Sequence, residues 1–261
     1  MSAPSSLPPV AVLGLGIIGS RAADHIAAAG YPITTWSRSP RERMDFEADP
    51  SKAADSARII VCYLKDVPAV REVFEKVRES LEPGKTFINH ATIDHDTTDY
   101  LVTECARLEC NFLNAPFTGS KLAAGNAALV YYAGGSSEVL EQLRPFLAVT
   151  SNQIMEVDSP LAATILKLTT NLITASTVQA LAEGLKINLS YGITAETYLE
   201  SIKPNACASA LASMKIPSMA DGEFDPHFSL SNMLKDSRYM IDLARRADLE
   251  TPGIANTAAQ M

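Results

Sequence analysis

The sequence predicts an α/β fold: a doubly wound, mainly parallel sheet followed by an all-α C-terminal domain. Three observations carry this. Short β-branched and apolar runs of strand length alternate with segments of helical periodicity. The first run breaks into a glycine cluster and resumes as a small-residue helix. Near 158–160 both composition and period change, and strand signals stop. The expected domains are therefore 1–158 and 159–261.

Taken in order, Val10–Leu13 is a compact strand, followed by a tight turn and a helical pattern that closes at 29–30. Strand-length runs recur at Ile33–Trp36, 59–64, Thr86–Asn89, 112–115, 129–133 and 154–157. Between them, Val67, Val70, Val73, Phe74 and Val77 share one helical stripe, closed by Pro83 and Gly84. Residues 161–187 read as one long apolar helix, with Gly184 its one breaker. Helices are expected at Ala195–Ile202, 206–214 and 230–247, with a Pro/Gly/Asp-rich turn at 220–226.

The composition is that of an ordinary folded chain of 261 residues, with 47% hydrophobic and 20% charged residues. Its 22 basic and 30 acidic residues give a net charge of −8, a poor match to polyanions, so no nucleic-acid partner is expected. Cys62, Cys105, Cys110 and Cys207 form no C-x-x-C pair, and His25, His90, His95 and His227 lack ligand spacing. No metal site is expected. The N-terminus lacks a basic segment followed by an apolar one, and no run of about 18 apolar residues occurs, so a cytoplasmic protein without a membrane partner is expected.

Gly14-Leu15-Gly16-Ile17-Ile18-Gly19 sits between a predicted strand and a predicted helix, the context in which G-x-G-x-x-G has a mechanism. The first glycine permits the turn, the second admits a pyrophosphate, and the third lets helix and strand pack closely. A Rossmann-type, dinucleotide-binding domain follows. Enzymes selective for NAD usually carry an acid about 20 residues on, at the end of the second strand. Here that place reads Ser37-Arg38-Ser39. A guanidinium between two short hydroxyls suits a 2′-phosphate, so NADP(H) is the expected cofactor, with Arg41 and Arg43 as further candidates.

Lys167 is a lone charge after the apolar run 162–166, and Asn171 lies about 40° round the same helix face. Both side chains can reach one small ligand. Thr118-Gly119-Ser120 follows a strand end and offers hydroxyls and backbone N–H groups suited to a carboxylate.

Joined in order, the glycine fingerprint, 114–121, 167–171 and 228–236 resemble the β-hydroxyacid dehydrogenase family, which includes 3-hydroxyisobutyrate dehydrogenases and glyoxylate/succinic semialdehyde reductases. The resemblance implies that Lys167 is the catalytic lysine and Asn171 orients the substrate. Thr118, Gly119 and Ser120 are implied to bind the substrate acid group, with Phe228 and Asp236 completing the site. Lys235, Thr92 and the loop carrying Tyr63 and Leu64 are implied to lie at the cofactor. Gly119-Ser120-Lys121 with Ala124 and Leu129, and the eight-residue spacing of Phe228 and Asp236, look like the glyoxylate/succinic semialdehyde reductase branch. Because the family uses lysine, His90 is left outside the catalytic set.

The chain departs from the family at Ile18, usually methionine, Ala91, usually serine, Asn114, usually acidic, and Thr118, usually serine. Leu161-Ala162-Ala163 replaces usual glycines on the approach to the lysine. Ending at Met261, before the family's usual final helix, the chain is expected to cover apolar surface near 251–261 through a partner, as a homodimer using the long helix. The expected activity is NADPH-dependent reduction of a small carbonyl acid. The alternatives are a 3-hydroxy acid dehydrogenase, an imine-reducing relative, or an NADP-binding sensor without turnover.

Overall fold

The computed structural model describes residues 7–224 and 228–261. The lead at 1–6, the last two residues of the predicted 220–226 turn and His227 lie outside them. The strands are β1 (Val10–Leu13), β2 (Ile33–Trp36), β3 (Ile59–Cys62), β4 (Thr86–Asn89), β5 (Asn111–Asn114), β6 (Phe117–Thr118), β7 (Leu129–Gly135) and β8 (Ser151–Val157). Interleaved with them are α1 (Ile17–Ala28), α2 (Pro50–Asp55), α3 (Val67–Val77), α4 (His95–Arg107), α5 (Lys121–Gly125) and α6 (Ser137–Leu147). After β8 come α7 (Pro160–Ser190), α8 (Ala195–Ile202), α9 (Ala210–Asp221), α10 (Leu230–Arg246) and α11 (Pro252–Ala259).

The sheet order is β2-β1-β3-β4-β5-β7-β6, with β8 beside β7. From β2 to β5 all pairs are parallel, in the register Val10↔Ile33, Val10↔Ile59, Ile59↔Thr86 and Thr86↔Asn111. The order reverses at β1, which opens a crevice beyond its C-terminal end. There the glycine loop lies.

Alternation along each strand divides the side chains between two cores. Val10, Val12, Val61 and Leu113 face the cluster that α1 and α6 complete through Ala23, Ile26, Leu140 and Phe146. Ala11, Leu13, Ile60 and Phe87 face the cluster that α2, α3 and α4 complete through Ala54, Phe74 and Leu101. Helices on both faces make the sheet doubly wound, as expected. The exception is β7, which runs antiparallel to β5 and to β6 and parallel to β8. A buried apolar run carries no direction of its own; the short β6 hairpin, Phe117↔Tyr131, turns β7 round.

The chain divides into two compact units within α7, the first ending at Lys167 and the second starting at Leu168. The change of period at 158–160 marks where α7 begins, and the helix runs on through the division. In the second unit, Leu181 and Leu185 of α7 pack with Ile202, Ala212 and Ile216, and Leu168 and Ala175 pack with Met240 and Ile254. Ile173, Ile187 and Leu189 of α7 are exposed.

One helical expectation is corrected. The segment at 206–214 is displaced to Ala210–Asp221, because Ser209 accepts the Ala212 N–H and starts the helix there. It then continues through Pro217 and into the predicted turn, stopping at Gly222 in the left-handed region (φ 68°).

Candidate active site

The glycine loop shows which of its residues serve the fold and which serve a ligand. Gly14 has φ +107°, and a side chain there would meet the Tyr63 carbonyl oxygen at 2.4 Å. A side chain at Gly19 would meet the Gly14 carbonyl oxygen at 1.9 Å. At Gly16 it would meet nothing within 4 Å. The protein's own packing therefore demands glycine at 14 and 19, while the open space at Gly16 fits the close approach of a pyrophosphate.

Helix α1 begins at Gly16 with no side-chain cap and no acid in its first turn. By contrast, α3 and α4 are capped by Asp66 and Asp94. The first-turn N–H groups of α1 and the positive end of its dipole thus remain available to an anion. A cleft of about 510 Å³ opens here, lined by Leu15, Gly16, Ile17, Ser20, Arg41, Glu42 and Arg43. Ile18, on the same first turn, packs instead against the sheet core.

Beyond β2 the chain loops out at 37–44 and returns, with the Thr35 N–H donating to Asp45 O at 2.7 Å and the Glu47 N–H to Thr35 O at 2.8 Å. The Ser37 hydroxyl donates to Ser39 O at 2.6 Å and tightens the bend. Arg38 and Ser39 are exposed, and among the described residues Arg38 forms no ion pair. Arg41 lines the cleft. Arg43 is withdrawn as a phosphate ligand: its Nε lies 2.8 Å from Asp45 Oδ1 and its Nη1 2.6 Å from Asp24 Oδ1. The hydrogen bond to Asp45 raises the Arg43 pKa further and holds the Asp45 carboxyl below the usual range.

Tyr63 flanks the glycine loop with its backbone and Cβ, and Leu64 Cδ2 borders Gly14. The Tyr63 side chain turns into the core. Its hydroxyl lies 2.7 Å from that of Tyr131, which lies 2.8 Å from Thr150 Oγ1. Burial raises the pKa of Tyr63 well above 10, so it holds its proton. The His90 ring stacks on Tyr63 at 4.5 Å between centroids and donates from Nδ1 to Ala115 O at 2.7 Å. Burial pushes the His90 pKa down to about 4, leaving a neutral, structural imidazole. Thr92, half-buried, stands just past β4.

At the end of the β5–β6 segment Thr118 and Gly119 are exposed and Ser120 is half-buried. Gly119 has φ +134°, a conformation that side chains disfavour. Lys167 is only 8% exposed, and its ammonium sits 6.0 Å from the centroid of Phe117, the neighbour of Thr118. A buried amine near Phe117 and, next along the chain, an exposed hydroxyl and backbone amide are groups suited to the two ends of a carbonyl acid.

The second unit holds a polar cluster of its own. Asn171 Nδ2 donates to Asp236 Oδ2 at 2.8 Å, and Lys235 Nζ lies 2.9 Å from Asp236 Oδ1. Lys235 also stands 5.3 Å from the Tyr239 ring centroid. Asp236 is wholly buried, whereas Phe228 is 49% exposed. The sequence gives no signal for Glu42 in the cleft or for the buried amide of Asn89, and it marks Asn114 only as a departure from the family.

Residues 9–158 match the family described as the NAD binding domain of 6-phosphogluconate dehydrogenase, and 162–261 that described as NAD-binding of NADP-dependent 3-hydroxyisobutyrate dehydrogenase. The chain belongs to the β-hydroxyacid dehydrogenase family. It is thus an NAD(P)-dependent oxidoreductase. Glyoxylate/succinic semialdehyde reductase 2, chloroplastic, of Arabidopsis thaliana is 24% identical over 254 residues, 93% of this chain and 71% of that protein. Glyoxylate/succinic semialdehyde reductase 1 of the same plant is 26% identical over 253 residues, 93% of this chain and 88% of that protein. The structure of Mycobacterium tuberculosis 3-hydroxyisobutyrate dehydrogenase with L-serine shares the fold, with TM-score 0.89 and 21% identity over 97% of this chain and 92% of that one. For this β-hydroxyacid dehydrogenase the cradle at Gly16 and the uncapped α1 fit a nicotinamide dinucleotide.

Proposed function

We propose that this β-hydroxyacid dehydrogenase reduces a small aldehyde or keto acid, of the glyoxylate or succinic semialdehyde type, with NADPH. The observation that carries the reading is the burial of Lys167 with its ammonium over the ring of Phe117, the residue before Thr118 and Gly119. The names of the two Arabidopsis relatives support the substrate class.

A nicotinamide dinucleotide held at the Gly16 cradle and the α1 N-terminus would supply the hydride for the carbonyl carbon. As negative charge gathers on the carbonyl oxygen, the Lys167 ammonium stabilises it and gives it a proton, so aldehyde, hydride and proton together make the alcohol. Thr118, Gly119 and Ser120 hold the carboxylate through hydroxyl and backbone N–H donors. Asn171, its amide fixed by Asp236, orients the substrate. Arg38, with Ser37 and Ser39, favours the 2′-phosphate.

The test is NADPH consumption by purified protein with glyoxylate, succinic semialdehyde and a panel of keto acids, repeated with NADH. Turnover at least about tenfold more efficient with NADPH is expected. NADPH binding without turnover across the panel would instead favour a dinucleotide sensor.

A further inference from the structure

Asn114 ends β5 and is wholly buried, so its amide oxygen and both amide hydrogens need partners. Its Oδ1 accepts from Asn89 Nδ2 at 2.8 Å. Its Nδ2 gives one hydrogen to Pro160 O at 2.8 Å and the other to Thr164 Oγ1 at 2.9 Å. Pro160 and Thr164 form the first turn of α7, which Ser159 caps by accepting the Ala162 N–H.

The proton direction of this network is fixed. The Thr98 hydroxyl donates to Asp94 O at 2.9 Å, so at its 2.8 Å contact with Thr164 it must accept. Thr164 therefore donates to Thr98 and accepts from Asn114. On the other side, Asn89 spends its second hydrogen on Ala91 O at 2.9 Å and its oxygen on the Ala91 N–H. With each of these hydrogens committed, the chain from Asn89 to Asp94 has one consistent polarity. A carboxylate at 114 could supply neither hydrogen that α7 receives.

The network lies between the two parts of the proposed chemistry. Three residues after Asn114 the chain reaches Phe117 and then Thr118; three residues after Thr164 it reaches Lys167, about 4.5 Å along the helix. Asn114 thus ties the strand that carries the carboxylate-binding turn to the helix turn that carries the ammonium. Ala163, on the same turn, is wholly buried.

We infer that Asn114 and Thr164 are positioning residues, which hold Lys167 in register with Thr118 for proton delivery. The inference rests on Lys167 being the proton donor, and the experiment separates the two. Thr164→Val keeps the shape and removes the hydroxyl, Thr164→Ser restores it, and Asn114→Asp removes both hydrogens given to α7. For each, kcat, the KM for NADPH and the solvent deuterium isotope effect on kcat are measured beside wild type and Lys167→Ala.

Thr164→Val and Asn114→Asp are expected to lower kcat about 10- to 100-fold, since a displacement near 1 Å has that effect. They should leave the KM for NADPH within about twofold and enlarge the isotope effect, because a misplaced donor makes proton transfer slow; Thr164→Ser should stay near wild type. Should Thr164→Val melt early, Thr98→Val, which removes the acceptor of the Thr164 hydroxyl, is expected to give the same split. Wild-type kcat in both Thr164→Val and Asn114→Asp, with Lys167→Ala inactive, would overturn the positioning role alone. An unchanged isotope effect with a matching rise in KM for NADPH would also overturn it. A Lys167→Ala enzyme as active as wild type would overturn the reading beneath it.

Discussion

The side chain of Asn171 is held by Asp236, whose Oδ2 accepts its amide hydrogen at 2.8 Å while both residues are buried. With Lys235 at 2.9 Å from the other carboxylate oxygen, one anion serves an amide on α7 and an ammonium on α10. Asp236→Ala removes the carboxylate that accepts the Asn171 amide hydrogen and that faces the Lys235 ammonium. It is expected to destabilise the fold by about 3 kcal/mol in urea denaturation and to lower kcat/KM for the carbonyl acid at least about tenfold. An unchanged urea midpoint would contradict this account of the cluster.

Two glycines of one fingerprint should behave in opposite ways. Gly19→Ala forces a methyl group against the Gly14 carbonyl and is expected to impair folding itself. Gly16→Ala meets no protein atom within 4 Å, so its melting stability should stay within about 1 kcal/mol of wild type. Its loss should appear in NADPH affinity, by about tenfold or more, read by fluorescence titration.

Much of the first unit was legible because its signals are local. The fingerprint, the alternating runs of β1 to β5 and the Val67–Val77 stripe each encode their period in a few residues. What was not legible depends on partners distant in sequence. The direction of β7 follows from the Phe117↔Tyr131 pairing, and the start of α9 from the Ser209 cap rather than from apolar spacing. Arg43 looked equivalent to Arg38 and Arg41 until Asp24 and Asp45 proved to hold it. Motif order singles out Lys167 and Asn171, whereas the hydrogen bonds of Asn114, which join β4, β5, α4 and α7, depend on residues far apart in sequence and have no local pattern.

The arginines therefore separate by function. Arg38→Ala is expected to raise the KM for NADPH about 10- to 100-fold, the loss of one charge-assisted phosphate contact, with little change for NADH. Arg43→Ala should leave the NADPH-to-NADH ratio unaltered and act through stability, by about 1 kcal/mol, because its ion pairs are part of the loop. Steady-state kinetics with both cofactors decides between them.

His90 supplies a pH dependence with a definite sign. Its folded pKa of about 4 lies below the ordinary 6.5, so the unfolded chain takes up a proton that the folded chain refuses. The stability this group contributes is complete above pH 6.5 and is lost as pH falls from 6.5 towards 4, a difference of about 3 kcal/mol. His90→Phe, which keeps a ring against Tyr63, should lack this component. As the pH drops across that window, the wild-type urea midpoint should fall relative to that of His90→Phe; parallel curves would contradict a neutral buried imidazole.

The most direct test is the rate of NADPH oxidation by Lys167→Ala with glyoxylate, measured beside wild type at saturating cofactor. The account predicts that kcat falls by about 100-fold or more while NADPH binding is retained, because the proton donor is gone and the cofactor cleft is untouched. A variant that binds NADPH and turns over at the wild-type rate would contradict it.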